Sequence, residues 1–406
     1  QPPDGNHLEE SGGDGGMKWE KVAIKDICTG IYDGPHATPP LSDTGAIFLG
    51  ISNFNNGRLD FSDIRYISED DLPKWTKRVI PQKNDIVFSY EATLNLYAII
   101  PEGFRGCLGR RMALLRVDET KADYKFLYYY FYSDAWRATV NENIVLGATV
   151  DRIPLIKFPD FPVELPPLET QHRIADILSA YDDLIENNQK QIKLLEEAAQ
   201  RLYKEWFVDL RFPGHENMEI VDGVPEGWKK ERLVDIAEIQ YGYAFDGTLF
   251  NADKNGTPII RIRNIPQAET MDYTTEHVSE NYLVQNGEII VGMDGEFHIN
   301  AWAGNTAYLV QRVCCIRPKN TEIKGWLLQA IYEPIKFFER TVVGATVAHL
   351  GKKHLDSIYL LTSPEEFYEP FKTFFDKRLL LMNQNRKLRE ARDRLLPKLM
   401  SGEVEV

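Results

Sequence analysis

The sequence has few cysteines and no long apolar run. Its four cysteines form no C-x-x-C pair and are not near clustered histidines; they are Cys28, Cys107, Cys314 and Cys315. This pattern excludes a disulfide framework and a zinc site of the usual ligand spacing, and it predicts buried or half-buried free thiols in a reducing, cytoplasmic location. No stretch approaches the roughly 18 uncharged apolar residues of a membrane-spanning helix, so we expect no membrane partner.

The signatures of common catalytic sites are also missing. The phosphate-binding loop G-x-x-x-x-G-K-[ST] is absent, because GKKH at 351–354 lacks the upstream glycine and the Ser or Thr. The sequence contains no G-x-S-x-G elbow, no H-E-x-x-H pair and no Asn/Asp-Pro-Pro-aromatic motif of an amino-methyltransferase. No acidic pair beside a lysine suggests a Mg²⁺-dependent nuclease, and the eight histidines are too scattered to nominate a general base. We therefore predict a binding protein with no catalytic residues, no metal and no cofactor.

The charge balance gives only weak evidence about partners. A formal net charge of −14 argues mildly against a nucleic-acid partner, but basic residues can be concentrated locally. Four of the negative charges lie in residues 1–16, which are polar and Gly-rich and show no signal peptide. We interpret these residues as a tag remnant or a disordered tail, with Met17 as a natural start.

The 406-residue chain repeats itself. Residues 146–153 read LGATVDRI and residues 343–350 read VGATVAHL. Further matching pairs are 19–34 with 228–247, 45–54 with 256–265, and 80–92 with 283–295. Two copies of one module therefore predict a function that uses the same kind of module twice.

Each copy has the same order, a globular part followed by a long helix. Short β-branched and aromatic runs bounded by Gly, Asn, Asp and Pro predict strands, and 125–139 and 324–340 predict helices. LVQRVCCIRP predicts a strand that sends the side chains of Cys314 and Cys315 to opposite faces. We predict the fold class α+β, with two mixed α/β modules and two long helices. The modules are predicted at 17–166 and 211–362, and each is followed by a long helix, at 167–210 and at 363–406 with the C-terminal tail.

The two long helices have features of a coiled coil. In the first, from about Leu168 to Phe207, seam residues are spaced by alternating steps of four and three. This seam consists of Ile174, Leu178, Tyr181, Ile185, Asn188, Ile192, Leu195, Ala199, Leu202 and Trp206. Its polar member, Asn188, is of the kind that fixes register. The second helix is predicted to start with Ser363 as N-cap, and Pro370 is predicted to kink or delay it.

The net charges of the helices are complementary. Residues 168–207 contain eight acids and five bases, which gives −3, and residues 364–400 contain six acids and nine bases, which gives +3. Opposite charge and matching length favour pairing of the two helices. The alternative is that each helix packs separately on its own domain.

The ends of the modules resemble one family closely. The segments 165–207 and 389–406, above all RDRLLPKLMSGE, are similar to the spacer helices of type I restriction-modification specificity (S) subunits. DGPHATP at 33–39 and GMDGEF at 292–297 also resemble segments of the target recognition domains of that family. The resemblance covers essentially all of 17–406.

The resemblance implies two target recognition domains held apart by an antiparallel coiled coil. Each domain is then expected to read one half of a bipartite, asymmetric site in double-stranded DNA. The partners it implies are two modification (methyltransferase) subunits and the restriction (translocase/nuclease) subunits, which carry the methyltransferase and ATP-dependent endonuclease activities. A helix of 40 residues is about 60 Å long, and a DNA turn is about 34–36 Å, so the helices would act as a ruler.

Polar and aromatic side chains on predicted loops are the candidate DNA contacts. In the first module these are His36, Thr38, Asn53, Asn55, Arg58, Tyr90 and Glu91, with Arg105, Arg110 and Arg111 for phosphates. In the second module they are Tyr243, Phe245, Arg261, Arg263, Asn264, Asp294, Glu296 and His298, with Lys352 and Lys353 for phosphates. Thr149 and Thr346 of the two GATV segments can reach a phosphate or can belong to purely structural turns. The other candidates have the same alternative, as turn formers or solvated surface residues.

Three questions stay open at this level. RIRNI at 261–265, as a strand, would place Arg261 and Arg263 on one face, which suits either base contact or simple exposure. The aromatic residues of YKEWF (203–207) suit either a partner surface or burial. The rival functions are a single-chain DNA modification enzyme with unrecognised motifs and a coiled-coil protein-interaction scaffold that does not bind DNA.

Overall fold

A computed structural model describes residues 19–145, 150–341 and 348–406. The chain forms two compact units. The first contains the described residues up to Asp182 together with Glu390–Val406, and the second contains Asp183–Arg389. Thr149, Thr346 and the predicted tail 1–16 lie outside the described residues, and the predicted domain boundaries stay a prediction.

The first unit is built on a four-stranded antiparallel sheet. Its strands follow the order β2-β10-β7-β8, and the unit also contains a three-stranded sheet with the order β6-β3-β9. Strand β1 pairs with β11 and so joins the start of the module to its end. The strands are β1 Glu20–Ala23, β2 Cys28–Asp33, β3 Ala46–Leu49, β4 Phe54–Asn55, β5 Arg58–Leu59, β6 Tyr66–Ile67, β7 Ile86–Ser89, β8 Tyr97–Ile99, β9 Gly106–Leu108, β10 Met112–Val117 and β11 Pro162–Leu165. The helices are α1 Leu72–Trp75, α2 Tyr124–Tyr130, α3 Asp134–Asn143 and the start of α4 Leu168–Tyr203.

The second unit repeats this plan. Its four-stranded antiparallel sheet has the order β15-β23-β20-β21, a second sheet has the order β16-β18-β17-β22-β19, and β14 pairs with β24. The strands are β12 Ile220–Val221, β13 Val224–Pro225, β14 Lys229–Arg232, β15 Ala237–Tyr241, β16 Phe250–Asn251, β17 Thr257–Ile260, β18 Tyr273–Thr274, β19 Leu283–Val284, β20 Ile289–Gly292, β21 Ile299–Ala301, β22 Ala307–Leu309, β23 Val313–Pro318 and β24 Tyr359–Thr362. The helices are α5 Leu233–Ile236, α6 Lys324–Ala330, α7 Tyr332–Thr341, α8 Lys352–Asp356 and α9 Glu369–Met400.

Strand register shows that the two copies are equivalent. Asp33 lies opposite Ala113 in the first unit, and Tyr241 lies opposite Cys314 in the second. Gly34 therefore corresponds to Gly242, and not to Gly247 as the matched segments suggested. At both glycines a Cβ atom would run into a backbone carbonyl oxygen, of Gly109 or Val310.

Both predicted helices inside the modules exist, but each is divided in two. Ser133 separates α2 from α3, because its side chain caps α3 by accepting a hydrogen bond from the Trp136 N–H. Segment 324–340 divides at Ile331, between α6 and α7.

The predicted burial of free cysteine thiols is confirmed. Cys107, Cys314 and Cys315 are buried, and Cys28 is half-buried. Cys314 and Cys315 contribute to different hydrophobic clusters, as expected for opposite faces of β23. Burial raises the pKa of Cys314 to about 12, so its thiol stays protonated and unreactive.

Helices α4 and α9 confirm the predicted seam. Ile174 and Leu178 are buried in the core of the first unit, together with Leu399. In the second unit, buried Asn188 donates a hydrogen bond from Nδ2 to Oδ1 of Asn385, at 2.9 Å. The two helices therefore pair rather than packing separately.

The contacts between α4 and α9 run in opposite directions along the two helices: later residues of α4 contact earlier residues of α9. Within the second unit Glu196 pairs with Arg378 and Asn188 with Asn385; within the first, Asp182 pairs with Arg392. This order is that of an antiparallel pair.

The predicted start of the second helix is wrong. Ser363 does not cap it, because its hydroxyl donates to the Pro364 carbonyl and a separate 3-10 turn covers Glu365–Phe367. Helix α9 begins at Glu369, which places Pro370 in the first turn, where its missing N–H breaks no hydrogen bond.

Candidate nucleic-acid interface

An ion pair recurs at the same place in both units, where β7 or β20 ends. In the first unit Glu91 pairs with Arg111, and Glu91 Oε1 lies 3.2 Å from Arg111 Nε. In the second unit Asp294 pairs with Arg312, at 3.3 Å from its Nε. We call these the Glu91–Arg111 pair and the Asp294–Arg312 pair. Each joins the end of a buried strand to the residue that precedes β10 or β23.

Both pairs lie beside the residues that flank a GATV segment. Arg152 forms β-bridges with both Glu91 and Val145, and Asp294 forms a β-bridge with His349. The Nδ1 atom of His349 lies 2.5 Å from Asp294 and 3.3 Å from Arg312 Nη1. The duplicated segment and the duplicated ion pair therefore mark one position in the module.

More polar groups gather near this position in the first unit. His36 Nε2 lies 2.9 Å from Asp33, which also pairs with Arg78. The Tyr90 hydroxyl donates to the Arg110 carbonyl at 3.0 Å, and burial raises the pKa of this phenol. The Tyr90 ring is only 5% exposed, so it supports the surface from below rather than presenting a face to a ligand.

Exposed cations lie next to the Glu91–Arg111 pair and in the segment after the second GATV. Arg110 and Arg152 in the first unit and Lys353 in the second are exposed. Arg111 and Arg312 are partly exposed, with 39% and 54% of their side chains accessible. A surface with cations beside carboxylates can bind phosphates through the former and base amino groups through the latter.

Asn53 and Asn264 have the same structural role. Asn53 is 2% exposed; its Oδ1 accepts from the Gly50 N–H, and its Nδ2 donates to the carbonyls of Asp60 and Asp63. Asn264 Oδ1 accepts from the Arg261 N–H in the equivalent turn. These amides are engaged inside the chain, so we remove both residues from the set of base contacts.

RIRNI is not a strand. Strand β17 ends at Ile260, and Ile262–Asn264 form a 3-10 turn that begins after Arg261. Arg263 pairs with Asp272, and the Arg261 guanidinium lies 5.6 Å from the centre of the Phe250 ring. The expectation of two arginines on one strand face is therefore wrong.

Other candidates also have partners within their own unit. Arg58 donates to the Asp182 carbonyl on α4 at 2.9 Å, so it holds the helix to the module. Tyr243 and Phe245 pack edge to face, with ring centres 5.0 Å apart. The remaining partnered candidates and their partners are Arg105 with Glu69, Lys352 with Asp356, Asn55 with Asp60, Glu296 with Lys336, and His298 with Glu296. Thr38 is exposed.

Sequence reasoning missed Arg152, Arg312 and His349. A signal was present, because RMALLRV at 111–117 aligns with RVCCIRP at 312–318 and brings Arg111 onto Arg312. The same alignment brings Arg116 onto Arg317, and each of these donates two hydrogen bonds to one carboxylate, Asp85 or Glu288.

Two general features bear on function. Within residues 19–145, 150–341 and 348–406, no three His, Cys, Asp or Glu side chains are grouped so that they could hold a metal ion. In the same described residues, no helix is both long and apolar enough to cross a bilayer.

Comparisons with known proteins agree with this architecture. The family model described as the type I restriction modification DNA specificity domain matches residues 17–197 and 225–366. The chain is 25% identical over 366 residues to the type I restriction enzyme MjaIX specificity subunit of Methanocaldococcus jannaschii, covering 84% of this chain and 82% of that subunit. It is 30% identical over 150 residues to the Escherichia coli EcoBI specificity subunit, covering 37% of this chain and 32% of that one.

The fold is also that of a solved structure. The S subunit of a type I restriction-modification system from M. genitalium aligns with a TM-score of 0.57 at 17% identity, over 97% of this chain and 98% of that one. Because the family model matches both copies of the repeated module, the chain belongs to the family of type I restriction-modification DNA specificity proteins.

Proposed function

We propose that this protein is the DNA-recognition subunit of a type I restriction-modification system, in which each unit reads one half of a bipartite, asymmetric site. The observation that carries this proposal is the duplicated ion pair, Glu91–Arg111 and Asp294–Arg312, beside each GATV segment. A DNA site with two different halves needs the same scaffold twice, with different side chains in each copy. The repeated fold, with a recurring ion pair and unlike neighbours, Arg152 beside Glu91 and His349 beside Asp294, fits that need.

Arg111 and Arg312 are the proposed base readers. Their carboxylate partners hold the guanidinium groups in place, which lowers the entropy cost of binding, and Arg reads guanine through two hydrogen bonds. Glu91 and Asp294 can accept from the amino group of cytosine. Arg110, Arg152 and Lys353 are proposed to bind phosphates. His36, Thr38, Asn55, Tyr243, Phe245, Glu296, His298, Lys352, Thr149 and Thr346 stay in the proposed interface.

The paired helices are proposed to set the gap between the half-sites. Helix α4 has 36 residues and α9 has 32, so at 1.5 Å per residue they are about 54 and 48 Å long. This is about one and a half turns of DNA. The unread spacer would follow from helix length.

Catalysis is proposed to reside in partners: two modification (methyltransferase) subunits and restriction (translocase/nuclease) subunits, with the assembly in the cytoplasm. Family membership supports a non-catalytic role for this chain. The YKEWF aromatics pack internally, with Trp206 edge to face against Phe367 and Phe207 only 6% exposed. We therefore propose that partners contact exposed Leu184 and Leu194 on α4 and Leu380 on α9 instead.

Mapping methylated bases in the host genome tests the proposal. A methylated motif of two unlike halves, lost when this gene is deleted and restored by complementation, is the expected result. Binding of S-adenosylmethionine by the isolated chain would favour a single-chain modification enzyme. Absence of salt-dependent DNA binding, even with a methyltransferase partner present, would favour a scaffold that does not bind DNA.

A further inference from the structure

A cavity of about 90 Å³ lies in the second unit, between α4, β21, α6 and α9. Its walls are mainly apolar; they include Leu195, Ile299, Leu328, Phe371 and Phe375. The cavity is partly open to solvent, so an inserted group can belong to a larger molecule.

Arg378 supplies an unused donor in this wall. The residue is 8% exposed; its Nε donates to Glu196 at 2.6 Å and its Nη2 donates to Asn300 at 2.7 Å. Its Nη1 atom is buried and has no hydrogen-bond partner. A buried donor without an acceptor is unfavourable, so a ligand oxygen at this point would be stabilising.

The first unit has larger side chains at two positions equivalent to residues that line the cavity. Helices α2 and α6 follow equivalent strands, and their buried Phe126 and Trp326 correspond. Tyr128 then corresponds to Leu328, and Tyr129 to Gln329. Both tyrosines are buried, and the Tyr129 hydroxyl donates to Asp182 at 2.6 Å.

The second unit has smaller side chains at both positions, and both of them, Leu328 and Gln329, line the cavity. The equivalent helix positions therefore carry buried phenol rings in one unit and smaller side chains beside open space in the other. Because Glu196 already neutralises Arg378, a neutral oxygen is favoured over an anion.

We propose that this cavity binds a neutral phenol ring whose oxygen accepts a hydrogen bond from Arg378 Nη1. The ring can come from a free phenol or from a tyrosine side chain of a partner protein, since the chemistry is the same. The site does not depend on DNA recognition.

Titration of the full chain with p-cresol, followed by ligand-observed NMR, tests the proposal. We expect p-cresol to bind about tenfold more tightly than toluene, which lacks the oxygen, because a hydrogen bond from a charged donor is worth about that factor. Arg378→Met should abolish this preference.

The pair Leu328→Tyr and Gln329→Tyr gives the second unit the side chains of the first. This double variant should weaken p-cresol binding at least tenfold while the chain stays folded, and it decides the question even if Arg378→Met does not fold. N-acetyltyrosinamide binding as tightly as p-cresol assigns the site to a protein tyrosine; binding of p-cresol alone assigns it to a small phenol. No p-cresol binding at millimolar concentration, or binding unchanged in the double variant, would overturn the proposal.

Discussion

Arg116 and Arg317 each hold a carboxylate inside their unit. Asp85 is 2% exposed and accepts from Arg116 Nε and Nη2 at 2.9 and 2.8 Å, and Glu288 accepts from Arg317 in the same way. Such pairs fix the turn that precedes β7 or β20. Removing one partner leaves a buried charge, which is far more costly than removing both.

Arg116→Met should therefore lower the free energy of unfolding of the first unit by about 3–5 kcal/mol, and adding Asp85→Asn should recover part of the loss. Urea denaturation measures both. Lys83→Gln, which breaks the exposed pair with Glu102, is the matched control and should change little. Equal losses in Arg116→Met and in the double variant would show that the unpaired Asp85 charge is not the cause of the loss.

Arg312→Gln should relax discrimination in one half-site only, by about 1–3 kcal/mol per base pair read. Arg111→Gln should do the same in the other half-site. Affinities for DNA panels altered in one half at a time, with the methyltransferase partner present, measure this effect. Arg263→Gln is the matched control, because Arg263 is also an exposed arginine paired with an aspartate, Asp272, but is not one of the proposed base readers. Equal losses in both halves from either variant would contradict the division of labour.

Sequence reasoning reached residue type more easily than residue role. Asn53 and Asn264 are of a residue type that can read bases, but the side-chain amide of each accepts a hydrogen bond in the turn that follows its strand. A hydrogen bond to the chain's own backbone leaves no mark in a single sequence. The paired arginines did leave a mark in the sequence, because arginine recurs at two fixed positions when 111–117 is aligned with 312–318.

At the scale of elements, the Asn188–Asn385 hydrogen bond fixes the register of the helix pair in the second unit. Asn188→Leu should destabilise that unit by about 1–3 kcal/mol, because the Asn385 amide loses its partner. Asn385 Nδ2 still donates to the Ile185 carbonyl at 3.2 Å, which limits the loss.

Thermal and urea unfolding of Asn188→Leu, Asn385→Leu and the double variant measure the pair. We expect the double variant to be at least as stable as the parent but less specific in register. A double variant as unstable as the sum of the two singles would show that the two amides do not act as a pair.

We expect the tyrosines of helix α2 and of the turn after it to make the first unit sensitive to alkali. Burial, and then the charge of Asp182, raise the pKa of the Tyr129 phenol; burial raises the pKa of Tyr128 and raises that of Tyr132 to about 12. The unfolded phenols ionise near pH 10. Their contribution to stability is therefore complete below about pH 10 and is lost as the pH rises towards the folded pKa values.

Stability should fall between about pH 10 and 12, and the fall should be shallower in Tyr129→Phe, which has one fewer phenol to ionise. The free energy of unfolding measured against pH decides this, with the exposed Tyr359→Phe as control. An unchanged slope in Tyr129→Phe would show that this phenol titrates alike in the folded and unfolded states.

Periodicity made the long helices predictable, since the seam of α4 follows steps of four and three over its whole length. It could not locate the start of α9. A Ser-Pro-Glu-Glu sequence satisfies the capping rule, but Pro370 removes an N–H that an earlier start would need for the helix ladder. The breaks in 125–139 and 324–340 were hidden because apolar residues continue across them.

At the scale of the whole molecule, the repeat explains why the same sheet order occurs twice. Two copies with the same sheet order present the same kind of ion pair beside unlike neighbours, Arg152 in one unit and His349 in the other, which suits recognition of two unlike half-sites. The sequence predicted this plan because repetition is visible without knowledge of contacts. It could not supply the bases read, since no code links loop residues to base pairs.

The most direct measurement lengthens the helix pair. One helical turn is inserted in α4 and a matching turn in α9, at positions that keep Asn188 opposite Asn385. Methylated bases are then mapped in cells that carry the variant. We expect a longer unread spacer with both half-sites unchanged, because the ends of the pair move apart by about 5 Å per turn. An unchanged spacer with full methylation, or a changed half-site sequence, would contradict the central claim that paired helices hold two readers at a set distance.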